Sequence, residues 1–387
     1  MIESKFPFRG QGYDFIFLGA GCASLSLVMR MIKSGKFADK KILLIDKEPK
    51  TKNDRTWCFW ETTPGFFEPI VYRQWEKIAV LNNDVSLSLE IAPYRYKMIR
   101  GIDFYDYCFR EIAKHNNIEI AYGTVTDVEY EKDDLVLTID NTKHRLFGAG
   151  TEVFSSLYKP GEPDKKTIRL LQHFKGWLIE TNKQVFDPCQ ATIMDFRVDQ
   201  AKGTTFCYVL PLSPVSALVE YTLFSPGLLS QEDYDKGLKN YIQSFLQIED
   251  YTIKDTEFGS IPMTNERFDG SAWMLGTAGG QTKASSGYTF QFIQKKSDQL
   301  LDYLIRKKNL NYFPSVPKRF RFYDNTLLHI LYHNKYPGNK IFTRLFKKNK
   351  PQSVLKFLDN ESTLSEELKI ISTLPTLPFL KASINQL

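Results

Sequence analysis

The stretch Tyr13-Asp-Phe-Ile-Phe-Leu-Gly19-Ala20-Gly21-Cys22-Ala23-Ser24 decides how this chain folds. Residues 13–18 are apolar apart from Asp14 and read as a buried strand. A glycine turn follows. A helix then runs from about Ala23 to Lys33, with Leu27, Val28 and Met31 on its apolar face, and Gly35 stops it. Lys41–Ile45 form a second short apolar strand that ends at Asp46. Strand, turn, helix and strand in this order predict a β-α-β unit, a parallel sheet and a right-handed crossover.

The turn has a chemical reading. Gly19 permits a tight turn, and Gly21 lets the backbone approach a pyrophosphate. The helix N-terminus offers free N–H groups to the same anion. Ser24 stands at the third position of the pattern, where a small residue allows close helix–strand packing. Asp46 lies 27 residues after Gly19. It is placed to accept hydrogen bonds from ribose hydroxyls, which disfavours a 2′-phosphate there. The expected nucleotide contacts are therefore Gly19, Ala20, Gly21, Cys22, Ala23, Ser24 and Asp46. A plain glycine turn beside a surface Asp is the other reading, and the pattern alone does not separate FAD from NAD.

Further along, residues 101–115 read as a helix with Phe104, Tyr107, Cys108 and Ile112 on one face, and 118–130 and 134–140 look strand-like. β-Branched and aromatic residues recur in Gly176–Thr181, Ala191–Val198, Thr205–Leu210 and Ala217–Phe224, which predicts a β-rich lobe. A helix is expected over Glu232–Leu246. Ser271–Leu275 then reads as a strand, followed by Gly276-Thr277-Ala278-Gly279-Gly280, the segment Ser285-Ser286-Gly287-Tyr288-Thr289 and a helix from Tyr288 to Arg306. From 318 onward the chain reads as helical. The fold class expected is α/β, with a Rossmann-type FAD-binding domain of the p-hydroxybenzoate hydroxylase/glutathione reductase kind. That domain takes residues 10–160 and 255–310, the β-rich substrate domain 161–254, and the helical C-terminal region 311–387.

The second glycine cluster favours FAD. Many flavoproteins close the site with a strand, a Gly-Asp-Ala turn and a helix whose N-terminus faces the flavin. Here Gly276-Thr277-Ala278 stands in that place, and Thr277 brings a hydroxyl without charge. The positive end of the helix suits a reduced, anionic ring. Gly276, Thr277, Ala278, Gly279, Gly287 and Arg55 complete the expected cofactor contacts.

Composition narrows the class. The chain has 387 residues, enough for two lobes. Aromatics reach 14%, which suits a large apolar cavity or a large core equally. The net charge of +6 is mild and favours an anionic membrane face over nucleic acid. Five cysteines without a CxxC pair point to a reduced, cytoplasmic chain, and five scattered histidines give no metal cluster. The uncharged stretch Phe15–Met29 is shorter than the ~20 residues a membrane span needs.

Several segments together resemble bacterial lycopene β-cyclases. They are the first glycine turn, Asn53-Asp-Arg-Thr-Trp-Cys-Phe-Trp60, Met194-Asp-Phe-Arg-Val198, Tyr208-Val-Leu-Pro-Leu-Ser213, Leu218-Val-Glu-Tyr-Thr222 and Gly259-Ser-Ile-Pro-Met263. Residues 322–328 and 355–379 fit as well. The resemblance covers nearly the whole chain in order, and Ser24 and Thr277 depart from the usual flavoprotein turns. It implies non-covalent FAD, active when reduced, with NAD(P)H as the electron source. It implies ring closure of lycopene's linear ends without net redox change. The family's essential glutamate lies in a Glu-x-Thr segment, which assigns the catalytic acid to Glu220. Asp195 is a weaker candidate that also reads as a partner of Arg197. A flavin oxidoreductase acting on an isoprenoid lipid is the competing reading.

Lycopene is almost insoluble in water, so peripheral attachment to the inner face of the cell membrane is expected. Lys335, Lys340, Arg344, Lys347, Lys348 and Lys350 interleave with Phe342, Leu345 and Phe346 and suggest a basic, partly apolar docking surface. A solvated helix face is the plainer alternative.

Overall fold

The computed structural model describes residues 12–131, 134–147, 150–157, 167–266, 273–314 and 316–384. A parallel sheet has the order β12 (Glu152–Ser155), β1 (Phe15–Leu18), β2 (Ile42–Asp46) and β8 (Ile118–Tyr122). Both β1 and β2 are buried at every position, as uninterrupted apolar strands are when a parallel sheet is covered on two faces. Their side chains alternate between two cores. Phe15, Phe17, Ile42 and Leu44 pack with helix α1 (Cys22–Ser34). Ile16, Leu18, Leu43 and Ile45 pack with an antiparallel meander of β9 (Val125–Glu131), β10 (Asp134–Ile139) and β11 (Thr142–Phe147). The strand-like run expected at 118–130 is thus two strands in two sheets, separated at Gly123 and Thr124.

Helix α1 is buried from Cys22 to Met31, between the sheet, α2 (Gly101–Ile112) and α4 (Phe290–Ile305). Arg30 lies within that buried run, and Asp298 of α4 meets its charge at 2.6 Å. The chain therefore does return to the first domain after its second lobe. The expected strand before α4 is reduced to one parallel bridge, Ser155↔Met274. Ser271 and Ala272 lie outside the described residues, and the turn at Gly276 ends the pairing.

The second lobe is a seven-stranded sheet. Its order is β17 (Thr252–Thr264), β13 (Arg169–Glu180), β16 (Ser216–Ser225), β15 (Thr204–Ser213), β14 (Gln190–Asp195), β5 (Lys77–Asn82) and β6 (Val85–Glu90). Neighbours are antiparallel except β14 and β5. The sheet is wider than the 161–254 segment expected for it. Strand β17 continues to Thr264 because it follows β13 from Glu180 back to Arg169, and β5 covers the open edge of β14. One face carries Trp177, Ile179, Val209 and Val219 against α3 (Gln231–Ser244). The opposite face carries Phe206, Tyr208, Leu218 and Phe224.

A small sheet of β3 (Thr56–Glu61), β7 (Arg95–Arg100) and β4 (Arg73–Trp75) joins the lobes. Trp60, Tyr96 and Met98 enter the core of the second lobe, while Phe59 and Ile99 enter that of the first. The C-terminal helices are α5 (Lys318–Tyr332), α6 (Gly338–Lys348), α7 (Pro351–Leu358), α8 (Leu364–Thr373) and α9 (Thr376–Ile384). Phe342, Leu345 and Phe346 of α6 are buried in the second core, so the apolar half of the expected docking surface is internal. The basic half, from Lys335 to Lys350, stays exposed. This is what a periodic apolar pattern on a surface helix produces: the stripe turns inward and the charges remain in water.

Lys283 ties this helical region to the second glycine turn. Its buried ammonium meets Asp324 of α5 at 2.7 Å and Asn360 Oδ1 at 2.7 Å. Removing one partner leaves a buried charge poorly matched. Asp324→Ala should lower unfolding free energy by about 3 kcal/mol, measured by urea denaturation. An unchanged midpoint and slope would show that the tail does not depend on this pair.

Candidate active site

The two glycine turns meet. Gly19 has φ 97°, a left-handed conformation, and a Cβ there would lie 2.2 Å from Ser156 Oγ. Gly21 precedes α1, whose first turn has no side-chain cap, so its N–H groups are open to a ligand. The Ala20 N–H donates to Asp46 Oδ2 at 2.7 Å, and Lys50 Nζ lies 2.9 Å from Oδ1. Asp46 thus shapes the turn as well as facing it. Cys22, Ala23 and Ser24 are buried, and Ser24 Oγ has no hydrogen-bond partner. Gly276–Gly279 form a single 3-10 turn, and Gly276 sits against Ala23, its missing Cβ 3.4 Å from the Ala23 methyl.

Beyond the second turn opens a cavity holding about 1070 Å³ of empty space, its mouth included. Its floor is the alternating row Gln172, Phe174 and Gly176 of β13, of which Gln172 and Phe174 line the space directly. Asp54, Arg55, Thr56, Trp57 and Cys58 form one wall. Thr277, Ser286, Gly287, Tyr288, Thr289 and Phe290 form another, so the N-terminus of α4 opens on the cavity. That helix also lacks a side-chain cap. The third wall belongs to Tyr96, Tyr208, Leu218, Glu220, Glu257 and Phe258.

Two carboxyls face this space from opposite sides of β13. Glu220 of β16 and Glu257 of β17 are both in register with Gly176, and Tyr208 continues the row beyond Glu220. Thr222 donates its hydroxyl to Glu220 Oε1 at 2.7 Å, and Thr56 donates to Glu257 Oε2 at 2.6 Å. Oε1 of Glu257 is buried with no hydrogen-bond partner. Burial holds Glu220 well above the ordinary carboxylate range, and the charge of Glu257 pushes it further. Burial raises Glu257 too, against the pull of the Thr56 hydroxyl. Glu220 therefore remains a neutral acid at pH values where a solvated glutamate is ionised.

The sequence-expected residues divide. Glu220, Arg55, Thr277 and Gly287 line the cavity. Gly19 to Ser24, Asp46, Gly276, Ala278 and Gly279 lie outside it and build the paired turns. Asp195 is away from the cavity: it is fully buried at the end of β14, held by Arg197 at 2.6 Å and by the Tyr241 hydroxyl at 2.8 Å. Sequence reasoning missed Glu257, Cys58, Tyr96, Tyr208 and Gln172. Only the register of β17 on β13 brings Glu257 in, and nothing in its own segment marks it.

An FAD fits the residues present. The uncapped helix N-termini at the two turns suit phosphate and a ring carbonyl or anion. The buried, unpartnered Ser286 Oγ and Gln172 Oε1 belong to residues that line the cavity. Buried polar atoms are normally satisfied, so such atoms mark where a ligand belongs.

Comparison with known proteins agrees with this architecture. The flavin-dependent brominase Bmp2 has a TM-score of 0.62 at 14% identity, covering 93% of this chain and 97% of its own. A flavoprotein/dehydrogenase from Cytophaga hutchinsonii has 0.60 at 13%, covering 97% and 99%. The fold is thus the Rossmann-type flavoprotein fold of the p-hydroxybenzoate hydroxylase kind. A lycopene beta-cyclase of Pantoea ananas is 24% identical over 96% of this chain and 97% of its own length. Residues 14–384 match the family described as lycopene cyclase protein, and the chain belongs to that family.

Proposed function

We propose that the chain is a lycopene β-cyclase, closing the linear ψ-ends of lycopene into β-ionone rings, with γ-carotene on the way to β-carotene. The observation that carries this reading is Glu220, a carboxyl kept neutral inside an aromatic cavity of a cyclase-family chain. Isomerisation of a polyene needs an acid, a dry site and a base, and no net electrons.

Glu220 gives its proton to the terminal alkene. The C–H bond forms, and positive charge develops on the neighbouring carbon. The faces of Phe174, Tyr208, Phe258 and Tyr288 surround that charge and stabilise it. The aromatic side chains of the lining would exclude water from the cation. A second alkene then closes the ring. The Glu220 carboxylate takes a proton from the ring and is restored, so substrate and product are isomers.

Gly19, Ala20, Gly21, Cys22, Ala23, Ser24 and Asp46 would hold the nucleotide half of FAD. Arg55, Gly276, Thr277, Ala278, Gly279 and Gly287 would hold the flavin half. Reduced FAD, when bound, would supply negative charge that stabilises a cationic intermediate, with NAD(P)H as the source of its electrons. Glu220→Gln should lower cyclisation by about 100-fold or more while bound flavin absorbance is kept. The carotenoid profile of a lycopene-accumulating bacterial host reads the loss, and unchanged β-carotene would reject Glu220 as the acid. NAD(P)H consumed one-for-one with product would instead favour an isoprenoid oxidoreductase.

The substrate resides in a bilayer, and we infer cytoplasmic, peripheral attachment. Among the described residues no helix is long and apolar enough to cross a membrane. Leu364 and Leu368 of α8 and Leu377, Leu380 and Ile384 of α9 are exposed. Helix α6 packs on α8 and presents Lys340, Arg344, Lys347 and Lys348. Apolar side chains flanked by basic ones suit an anionic lipid surface. Leu368→Glu with Leu377→Glu should abolish flotation with anionic liposomes and leave thermal stability unchanged. Flotation equal to that of the unaltered protein would remove this face from the account.

A further inference from the structure

Glu257 has no part in the steps above, yet it shares the cavity with the acid. The geometry that brings the two together is unusual. Their strands are not neighbours, because β13 runs between β16 and β17. Both glutamates are paired with the same residue, Gly176. A Cβ at Gly176 would lie 2.9 Å from Glu257 Cγ and 3.1 Å from a Leu218 methyl. The missing side chain is the space through which Glu257 leans across the strand.

Among the described residues neither carboxyl has a Lys, Arg or His partner within ion-pair distance. The groups facing them are Cys58 of β3, Tyr96 of β7, Tyr208 of β15 and Tyr288 before α4. Tyr96 hydrogen-bonds Tyr288 at 3.3 Å, and burial raises all four, so none carries charge at neutral pH. Asp255 and Arg55 lie on the Glu257 side; the Asp255 charge opposes ionisation of Glu257, and the Arg55 guanidinium favours it. Two unpaired carboxylates in one dry space cannot both ionise cheaply. Each acid has one threonine donor, and the hydrogen bond between the two carboxyls raises Glu220 while it lowers Glu257, so the proton rests on Glu220 and the charge on Glu257.

We propose that Glu220 and Glu257 hold one proton between them over Gly176, Glu257 being the positioning residue that keeps Glu220 loaded. This rests on the cyclase reading for its use in catalysis. Glu220 gives the proton to the alkene carbon as the C–H bond forms. The pair is then briefly doubly ionised beside a cation, which favours return of the proton lost on ring closure. One proton leaves and one returns, and no electrons are exchanged.

The test is infrared titration of the holoenzyme without substrate, following the C=O stretch of protonated carboxyls against pH. Burial raises Asp359 to about 7, so difference spectra against Glu220→Gln isolate the Glu220 band. That band should be present at neutral pH. Glu257→Gln is nearly isosteric and removes the like charge, so it should move the Glu220 midpoint down by about one pH unit or more. Gly176→Ala should move it the same way. The alkaline limb of lycopene cyclisation should shift to lower pH in step. A Glu220 midpoint unmoved in Glu257→Gln overturns the proposal, as does absence of the band at neutral pH. A titration as expected in a protein that converts no lycopene would remove the cyclase reading and leave the shared proton standing.

Discussion

Strand β13 presents two large side chains and a glycine in a row to the cavity, and each needs a matching partner across from it. Gln172, Phe174 and Gly176 alternate toward the space that the two lobes enclose. Neighbouring glycines make room for the larger two. A Cβ at Gly287 would lie 2.1 Å from Gln172 Oε1, and one at Gly259 would lie 2.3 Å from the Phe174 ring. Where β13 is itself glycine, its neighbours lean in instead. The floor is therefore a set of mutual exclusions, and filling any one position displaces a specific partner. Thr56 ties the wall from Asp54 to Cys58 to Glu257 beside this floor, and the α4 wall meets the floor at Gly287.

The first lobe was legible in the sequence because its rules are local. A buried strand, a glycine turn and an amphipathic helix are each set by residues a few positions apart. Phe15–Leu18 and Cys22–Ser34 appear within two residues of where periodicity puts them. Long-range pairing was less legible. Of the strand expected at Ser271–Leu275, the described residues 273–275 keep one parallel bridge, since apolar composition does not say whether a partner edge is free. The Lys335–Lys350 run reads as either a docking surface or a solvated helix face; its phenylalanines are buried in the core and its charges stay exposed. A sequence shows the period of such a stripe and not its direction. Glu220 was reached by resemblance, since alternation within its strand does not say which face is covered. Glu257 was out of reach because its role depends on the register of two strands about 80 residues apart, a non-local pairing.

The tail matters to the site through a charge. Lys283 follows the second glycine turn and is buried, so its ammonium must be met inside the protein. Asp324 and Asn360 meet it from the helical region. The residues before α4 are thereby held between β13 and the C-terminal helices. A turn that must face a ligand on one side is braced on the other.

The fold does not select the chemistry. A brominase shares it, and so does a dehydrogenase-like flavoprotein. What distinguishes this cavity is how its acids are treated. Asp195 is more deeply buried than Glu220, but the Arg197 guanidinium and the Tyr241 hydroxyl both reach its carboxyl. Glu61 and Glu68 are likewise met by Lys97. Glu220 and Glu257 receive only threonine hydroxyls, and each other. Burial alone does not make a carboxyl an acid, because a counter-charge in the same place stabilises the ionised form. Burial without a counter-charge leaves neutralisation by a proton as the remaining route, and that proton is then available to a substrate that brings no charge of its own.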